Sequence, residues 1–379
     1  MISESLRQDS KWTPYFNVLP QHLDSLVFWS PSELAELQAS TVIHKIGKSK
    51  AEDMFSQYVA PLGLNCSTDM CHQVASIIMA YAFDIPEKTS TVGGNTGEEE
   101  GEEELGSEDE EEKSLISMIP LADMLNADAD RNNARLCCDN EELEMRTIKP
   151  ITKGEEILND YGQLPRSDLL RRYGYVTQNY AVYDVAEIST KMILAAFRNV
   201  QVEHLEELSQ DDLEKRVELA EREGVFEDSY DIAHPGPDGP SIPDELLALL
   251  YLLLVDEETL QSISSSQSSL PSRSKLATQL VGQILVILLT AREKEYGTTL
   301  EADESLGSVE NLPTRTKMAI AVRSGEKRVL RKAVQEAESF EGSNNRMRLP
   351  KVSKNASAIQ NGKRRAGDTA TRTKKGRFR

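Results

Sequence analysis

The chain has 379 residues, enough for a sizeable core and about two domains. Hydrophobic residues make up only 39% and the net charge is −20, so part of the chain is expected to stay unfolded. The N-terminus lacks the apolar stretch of a secretory signal, and the longest apolar run, residues 246–255, is too short to span a bilayer, so a soluble protein is expected.

In chain order, residues 1–65 read as partly helical. Trp12 and Trp29 sit beside turn formers in SKWTP and FWSP. Ser30 is placed to cap a helix that has Pro31 at its first position and Glu33 in its first turn. Residues 67–83 predict a longer helix. Ser67 can cap it, and Cys71, Val74, Ala75, Ile78, Met79 and Ala82 form an apolar stripe at three-and-four spacing. His72 within it reads as a satisfied core histidine. Residues 88–113 are low in complexity, and residues 98–112 alone hold eleven carboxylates and no base. That insert predicts a disordered loop, either simply solvated or a docking arm for a basic partner.

The stretch 119–175 reads as predominantly β. Residues 134–138 and 143–149 flank Asp139-Asn140 as a plausible hairpin. Lys153-Gly154 is a turn, 155–158 a short strand and 165–173 a short helix. From residue 188 the periodicity becomes helical, over 192–224, 242–263, 276–292 and 314–340. Residues 229–243, which include Pro235, Pro237 and Pro240, separate two of these helices. The tail 343–379 carries twelve Lys or Arg against one acid, Asp368. Its clusters at 363–365 and 374–377 read as nuclear targeting or nucleic-acid contact. The resulting domain plan is 1–187, 188–342 and a disordered basic tail 343–379.

Composition alone points to little chemistry. There is no G-x-S-x-G, P-loop or H-E-x-x-H segment, and the five histidines are scattered. Cys66, Cys71, Cys137 and Cys138 form no C-x-x-C pair, so a reduced intracellular setting is expected and a metal site is not. The loop carrying Asn126, Asp128, Asp130, Asn132 and Asn133 could hold calcium, although it lacks the order of an EF-hand, or could form capped turns.

Three segments in order carry more. LADMLNADADRNNARL at 121–136, ITKGEEILNDYGQL at 151–164 and LLRRYGY at 169–175 resemble the catalytic half of the SET-domain protein-lysine methyltransferases. SKWTPYFNVLP at 10–20, FWSPSELAELQAS at 28–40 and TKMAIAVRSGEKRVL at 316–330 are similar to the Rubisco methyltransferase group, including its fungal ribosomal-lysine members. The resemblance spans roughly residues 11–340. It implies an α+β fold: a split SET β-fold with a helical insert, then an α-helical substrate-binding domain.

It also implies a methyltransferase using S-adenosyl-L-methionine. Tyr161 would be the catalytic tyrosine of the lysine channel. Asn126, Ala127, Tyr173 and Tyr81 would hold the cofactor, and Trp29 and Asp84 would line the substrate cleft with Tyr161. The substrate class is a basic protein, with a large-subunit ribosomal protein as the family-level expectation. Direct nucleic-acid binding is not expected, and the location is the nucleus, with the cytoplasm as a second site. Two departures stand out. The family's Asn-His pair is Asn126-Ala127 here, and no opening Gly-x-Gly strand-turn precedes Lys11. The second departure keeps an alternative open, a SET-like module that docks a basic partner without turnover.

Overall fold

The computed structural model describes residues 1–86, 114–139, 142–198, 208–235, 239–265 and 269–348. The acidic insert and most of the basic tail lie outside these residues. The chain forms two compact units: the first holds 1–188, 231–243 and 289–336, the second 189–230, 244–288 and the segment from 337 onward. These bounds interleave along the sequence and differ from a single division at 187.

In the first unit, local signals act as read. Ser30 Oγ accepts a hydrogen bond from the Glu33 amide at 3.3 Å. The Glu33 carboxylate accepts from the Ser30 amide at 2.7 Å. This capping box starts the Pro31–Ala35 helix with Pro at its first turn. Ser67 likewise caps the Thr68–Tyr81 helix, accepting from the Met70 amide at 3.2 Å. His72, in that helix, is buried and reaches Glu52 at 3.3 Å.

That helix runs directly into the strand Ala82–Pro86, which pairs antiparallel with Ser114–Met118, placing Asp84 opposite Ile116. The predicted hairpin forms from Ala134–Asp139 and Glu142–Thr147. Its register sets Cys137 opposite Glu144. No strand forms at 155–158, contrary to the sequence reading. Asn133 occupies the backbone there instead: its Oδ1 accepts from the Leu158 amide and its Nδ2 donates to the Glu156 carbonyl, both at 2.8 Å. A side chain thus replaces one rung of a ladder.

The Arg166–Tyr173 helix ends at Gly174, which has φ +75°. A Cβ there would lie 2.6 Å from the Ser25 amide nitrogen, so only glycine fits the close approach. Val185–Ser189 and Ser229–Ala233 form a further two-stranded sheet. Neither strand was read from the sequence; at the second, prolines at 235, 237 and 240 made the region look like a linker. A core of Leu26, Trp29, Leu37, Val42 and Leu170 packs against Ala319 and Val322 of the Thr314–Glu338 helix.

Beneath that core lies a layer of buried charge. Asp303 is fully buried and accepts from Arg323 at 3.0 Å, from Thr298 at 2.7 Å and from Lys327. Glu326 accepts from Ser40 at 2.6 Å and from Tyr296 at 2.7 Å. Arg166 and Asp184 form a third buried pair. A Cβ at position 325 would collide with that pair, so Gly325 lets the long helix approach it.

The second unit is helical, as predicted. Gln210–Arg222, Asp244–Leu254 and Glu257–Ser264 are its main helices, with the first part of Gln279–Lys294. Every residue from Leu246 to Leu254 is buried, which explains the apolar run. Among the described residues, no helix is long and apolar enough to cross a membrane. The start of the predicted tail is ordered here. Arg348 donates its amide to the Leu254 carbonyl at 2.8 Å, Asp256 donates to the Arg346 carbonyl at 2.8 Å, and Met347 is buried.

Candidate functional site

A cavity of about 400 Å³ opens in the first unit between the ends of the Thr68–Tyr81 and Arg166–Tyr173 helices and the loops at 123–127 and Tyr161. Tyr81 reaches it from the end of its helix. Residues 123–127 supply one wall, and Tyr161, Tyr173 and Tyr175 another.

The wall at 123–127 is fixed by backbone pairing with the loop after Leu158. Asn159 donates its amide to the Asn126 carbonyl at 2.8 Å, and Asp128 donates its own to the Asn159 carbonyl at 3.0 Å. Ala127 and Asn159 thereby form a short parallel bridge. The Asn126 side chain donates to Glu156 at 2.7 Å. Asp128 folds the rest of the loop into a turn, accepting from the Asp130 and Arg131 amides at 3.1 and 2.9 Å. Burial pushes the Asp128 carboxyl up, but hydrogen bonds from Arg131 and the turn outweigh it and hold it below the usual range. The Asx-rich loop is therefore a turn scaffold with its acid already partnered. Upstream, Leu121 holds φ +79° and is exposed, a strained position at the entry to the turn that presents Asp123.

The tyrosines are arranged face to face. The rings of Tyr161 and Tyr173 stack with centroids 4.6 Å apart and planes 13° from parallel. Tyr161 donates its hydroxyl proton to the Leu125 carbonyl at 3.0 Å. Burial, reinforced by the neighbouring phenols, pushes Tyr161 far above the ordinary tyrosine range. Tyr173 and Tyr81 are also raised, again by burial first. These phenols stay protonated at every working pH. They can donate, accept and shape a channel, but none is a base.

The structure thus brings Tyr81, Asn126, Ala127, Tyr161 and Tyr173 to one cavity, the set that the sequence picked out. Asp84 lies on the strand leaving Tyr81, exposed, with its charge felt at Tyr173. Trp29, expected in the substrate cleft, does not line this cavity. It is 4% exposed in the core, its indole donates to the Asp24 carbonyl at 2.8 Å, and Arg315 stacks over its ring.

Asp123 was missed. It is 3% exposed, lines the cavity and accepts from the Tyr15 hydroxyl on one oxygen, while its other oxygen has no partner. Burial raises its carboxyl above the usual range, and the Tyr15 hydrogen bond only partly offsets this. A sequence signal existed, since Asp123 is the lone acid in the apolar run before Asn126. None existed for Tyr15, which lies 108 positions away.

Residues 7–162 match the SET domain family, and residues 207–330 match the Rubisco LSMT substrate-binding family. Ribosomal lysine N-methyltransferase 4 of Saccharomyces cerevisiae is 37% identical over 268 residues, covering 66% of this chain and 52% of the yeast protein. The chain therefore spans about half the length of that relative. N-lysine methyltransferase SETD6 of Homo sapiens is 26% identical over 367 residues, covering 87% of this chain and 71% of the human protein. Among solved structures, the SET domain of LSMT bound to MeLysine and AdoHcy superposes with a TM-score of 0.61 at 20% identity, over 95% of this chain and 80% of that one. Rubisco LSMT bound to AdoMet gives 0.60 at the same identity and coverage. At that identity the likeness establishes the fold, a SET fold followed by a helical region. The two family matches fall in chain order, a SET-domain match followed by a Rubisco LSMT substrate-binding match.

Proposed function

We propose that this chain is a protein-lysine N-methyltransferase that uses S-adenosyl-L-methionine. The observation that carries the reading is the stacked Tyr161–Tyr173 pair facing Asn126 across one cavity. The residues suit the cofactor. A volume of about 400 Å³ is within the usual range of small-molecule sites, and no Lys or Arg lines it among the described residues, so no fixed cation opposes a sulfonium there. Asn126, Ala127, Tyr81 and Tyr173 would hold the cofactor. When bound, it supplies an electrophilic methyl group on a sulfonium.

The chain's own residues do the rest by alignment. The nucleophile is a lysine amine, which must be uncharged to attack, and an aromatic channel disfavours its ammonium form by desolvation. Tyr161 has committed its proton to the Leu125 carbonyl, so its oxygen is left as an acceptor. It can orient the amine through an N–H bond without taking the proton. Asp84, exposed at the strand leaving Tyr81, lies on the approach for a basic substrate.

The yeast relative's name supports a ribosomal protein as substrate, and the acidic composition supports a basic one through steering. The clusters at 363–365 and 374–377 support a nuclear address, with the cytoplasm as a second site. The test is transfer of labelled methyl to a ribosomal protein fraction, with cofactor binding followed by calorimetry. Tyr161→Phe should slow transfer by about 100-fold while leaving cofactor affinity within a few-fold. Equal transfer rates would remove the role given to this hydroxyl.

A further inference from the structure

A cavity of about 750 Å³ lies within the second unit. Its walls come from the ends of the Asp244–Leu254 and Glu257–Ser264 helices, from residues 269–278 and from the ordered segment 343–347. The chain carries a net charge of −20, yet this wall holds Lys275 and Arg346 and, among the described residues, no carboxylate. Both cations are exposed, and neither side chain has an ion pair or hydrogen bond among the described residues. Hydroxyl groups from Tyr251, Thr259, Ser272 and Ser343 surround them. The Tyr251 side chain is 5% exposed, and the Arg346 charge acts on its phenol.

A neighbouring cleft of about 440 Å³ provides the contrast. Its cations, Lys215 and Arg222, share the wall with Glu218 and Glu257, so that cleft is already balanced. The Lys275–Arg346 cleft is not. Unpaired cations ringed by hydroxyl donors form an anion site.

We infer that this cleft docks an acidic segment of a protein partner, with Lys275 and Arg346 taking its carboxylates. Ile263, Leu270, Pro271 and Met347 line the same cavity and offer apolar contact beside the charges, as a peptide requires. A single-stranded nucleic acid would add base stacking on open aromatic faces, but among the described lining residues the only aromatic ring, Tyr251, is buried. The inference does not depend on methyl transfer, because binding is read directly.

The experiment is calorimetric titration of the full chain with an acetylated tetrapeptide of two glutamates flanked by leucines. The same peptide with two glutamines is the control. The acidic peptide should bind saturably, about tenfold or more tighter than the neutral one. The double variant Lys275→Ala/Arg346→Ala should abolish that difference. Lys215→Ala/Arg222→Ala, in the balanced cleft, should leave it within twofold. Both docking residues are exposed, so folding should be kept, and melting curves check it. A charge-preserving Arg346→Lys variant should retain most of the preference. Equal binding of the two peptides, no saturation at millimolar concentration, or an unchanged preference in the first double variant would each overturn the proposal. A short oligonucleotide that bound the cleft more tightly than the acidic peptide would overturn it too.

Discussion

The tyrosine cavity and the buried ionic layer belong to the same compact unit but are built on opposite plans. The cavity walls are irregular segments tied by hydrogen bonds among residues 123–161, with half-buried phenols and one unpartnered carboxylate oxygen. The ionic layer is dry and partnered. Asp303 and Lys327 are 0% exposed and Arg323 is 1%, and all three carry partners. The cavity keeps polar and aromatic side chains along an open lining. The layer spends its polar groups on holding the Thr314–Glu338 helix to residues 36–40 and 292–303. Variants in the layer should therefore lower stability and spare binding, and variants in the cavity should do the reverse.

The largest effect is expected at Asp303→Ala. It leaves Arg323 and Lys327 buried with no carboxylate between them, at a cost of roughly 3–5 kcal/mol. Thermal unfolding should shift down on the order of 10 °C. Cofactor affinity of the surviving folded fraction should stay within about twofold, since Asp303 does not line the cavity. A large loss of affinity with little change in melting would reverse the contrast between the two regions.

Glu326 gives the layer a pH signature. Burial raises its carboxyl from the ordinary 4.5 to about 7, against the pull of the Ser40 and Tyr296 hydrogen bonds. The folded chain therefore holds this proton more tightly than the unfolded one. The stabilisation is complete below the unfolded value and is lost as pH rises through about 7, an effect on the order of 3 kcal/mol. Glu326→Gln keeps the shape and removes the titration. Its amide oxygen can accept from one hydroxyl, and its NH2 can donate to the other once that hydroxyl rotates. Denaturant midpoints of the variant between pH 5 and 8 should be flatter than those of the parent chain, with the gain concentrated at the alkaline end. Parallel curves would show that Glu326 is not the titrating group.

The two regions also differ in how far they could be read in advance. The cavity was legible because its residues sit in compact motifs. Asn126, Tyr161 and Tyr173 fall within 48 residues, and their spacing carries the family resemblance. The capping boxes and the hairpin were legible for the same reason, since each is decided by a few neighbouring residues. The ionic layer was not. Ser40 meets Glu326 across 286 positions and Arg323 meets Glu36 across 287, and no local pattern announces such a meeting. Lys327 and Glu326 read as ordinary helix-surface charges in TKMAIAVRSGEKRVL until tertiary packing buries them. The surroundings of Trp29 were equally hidden: the resemblance set it in a substrate cleft, whereas Arg315, far along the chain, lies over its ring in the core.

The smallest of these effects, and the sharpest on the cavity side, is expected at Asn133. Its amide bonds the Leu158 amide and the Glu156 carbonyl, and so sets the segment that leads to Tyr161. Asn133→Ala removes both bonds and strands two backbone groups, at a cost of about 1–3 kcal/mol. Part of that cost will be relieved by water reaching Glu156, which is exposed at this edge. The melting shift should therefore be smaller than for Asp303→Ala. Binding should suffer more than melting, because Asn126 is tied to Glu156 and Asn159 in the same segment. Cofactor affinity is expected to fall by roughly tenfold, the effect of about 1.4 kcal/mol. Asn133→Asp keeps the acceptor for Leu158 but sets a carboxylate oxygen against the Glu156 carbonyl, so it should not rescue. If it did, the Leu158 bond alone would fix the segment, and the wall of the cavity would depend on one rung rather than two.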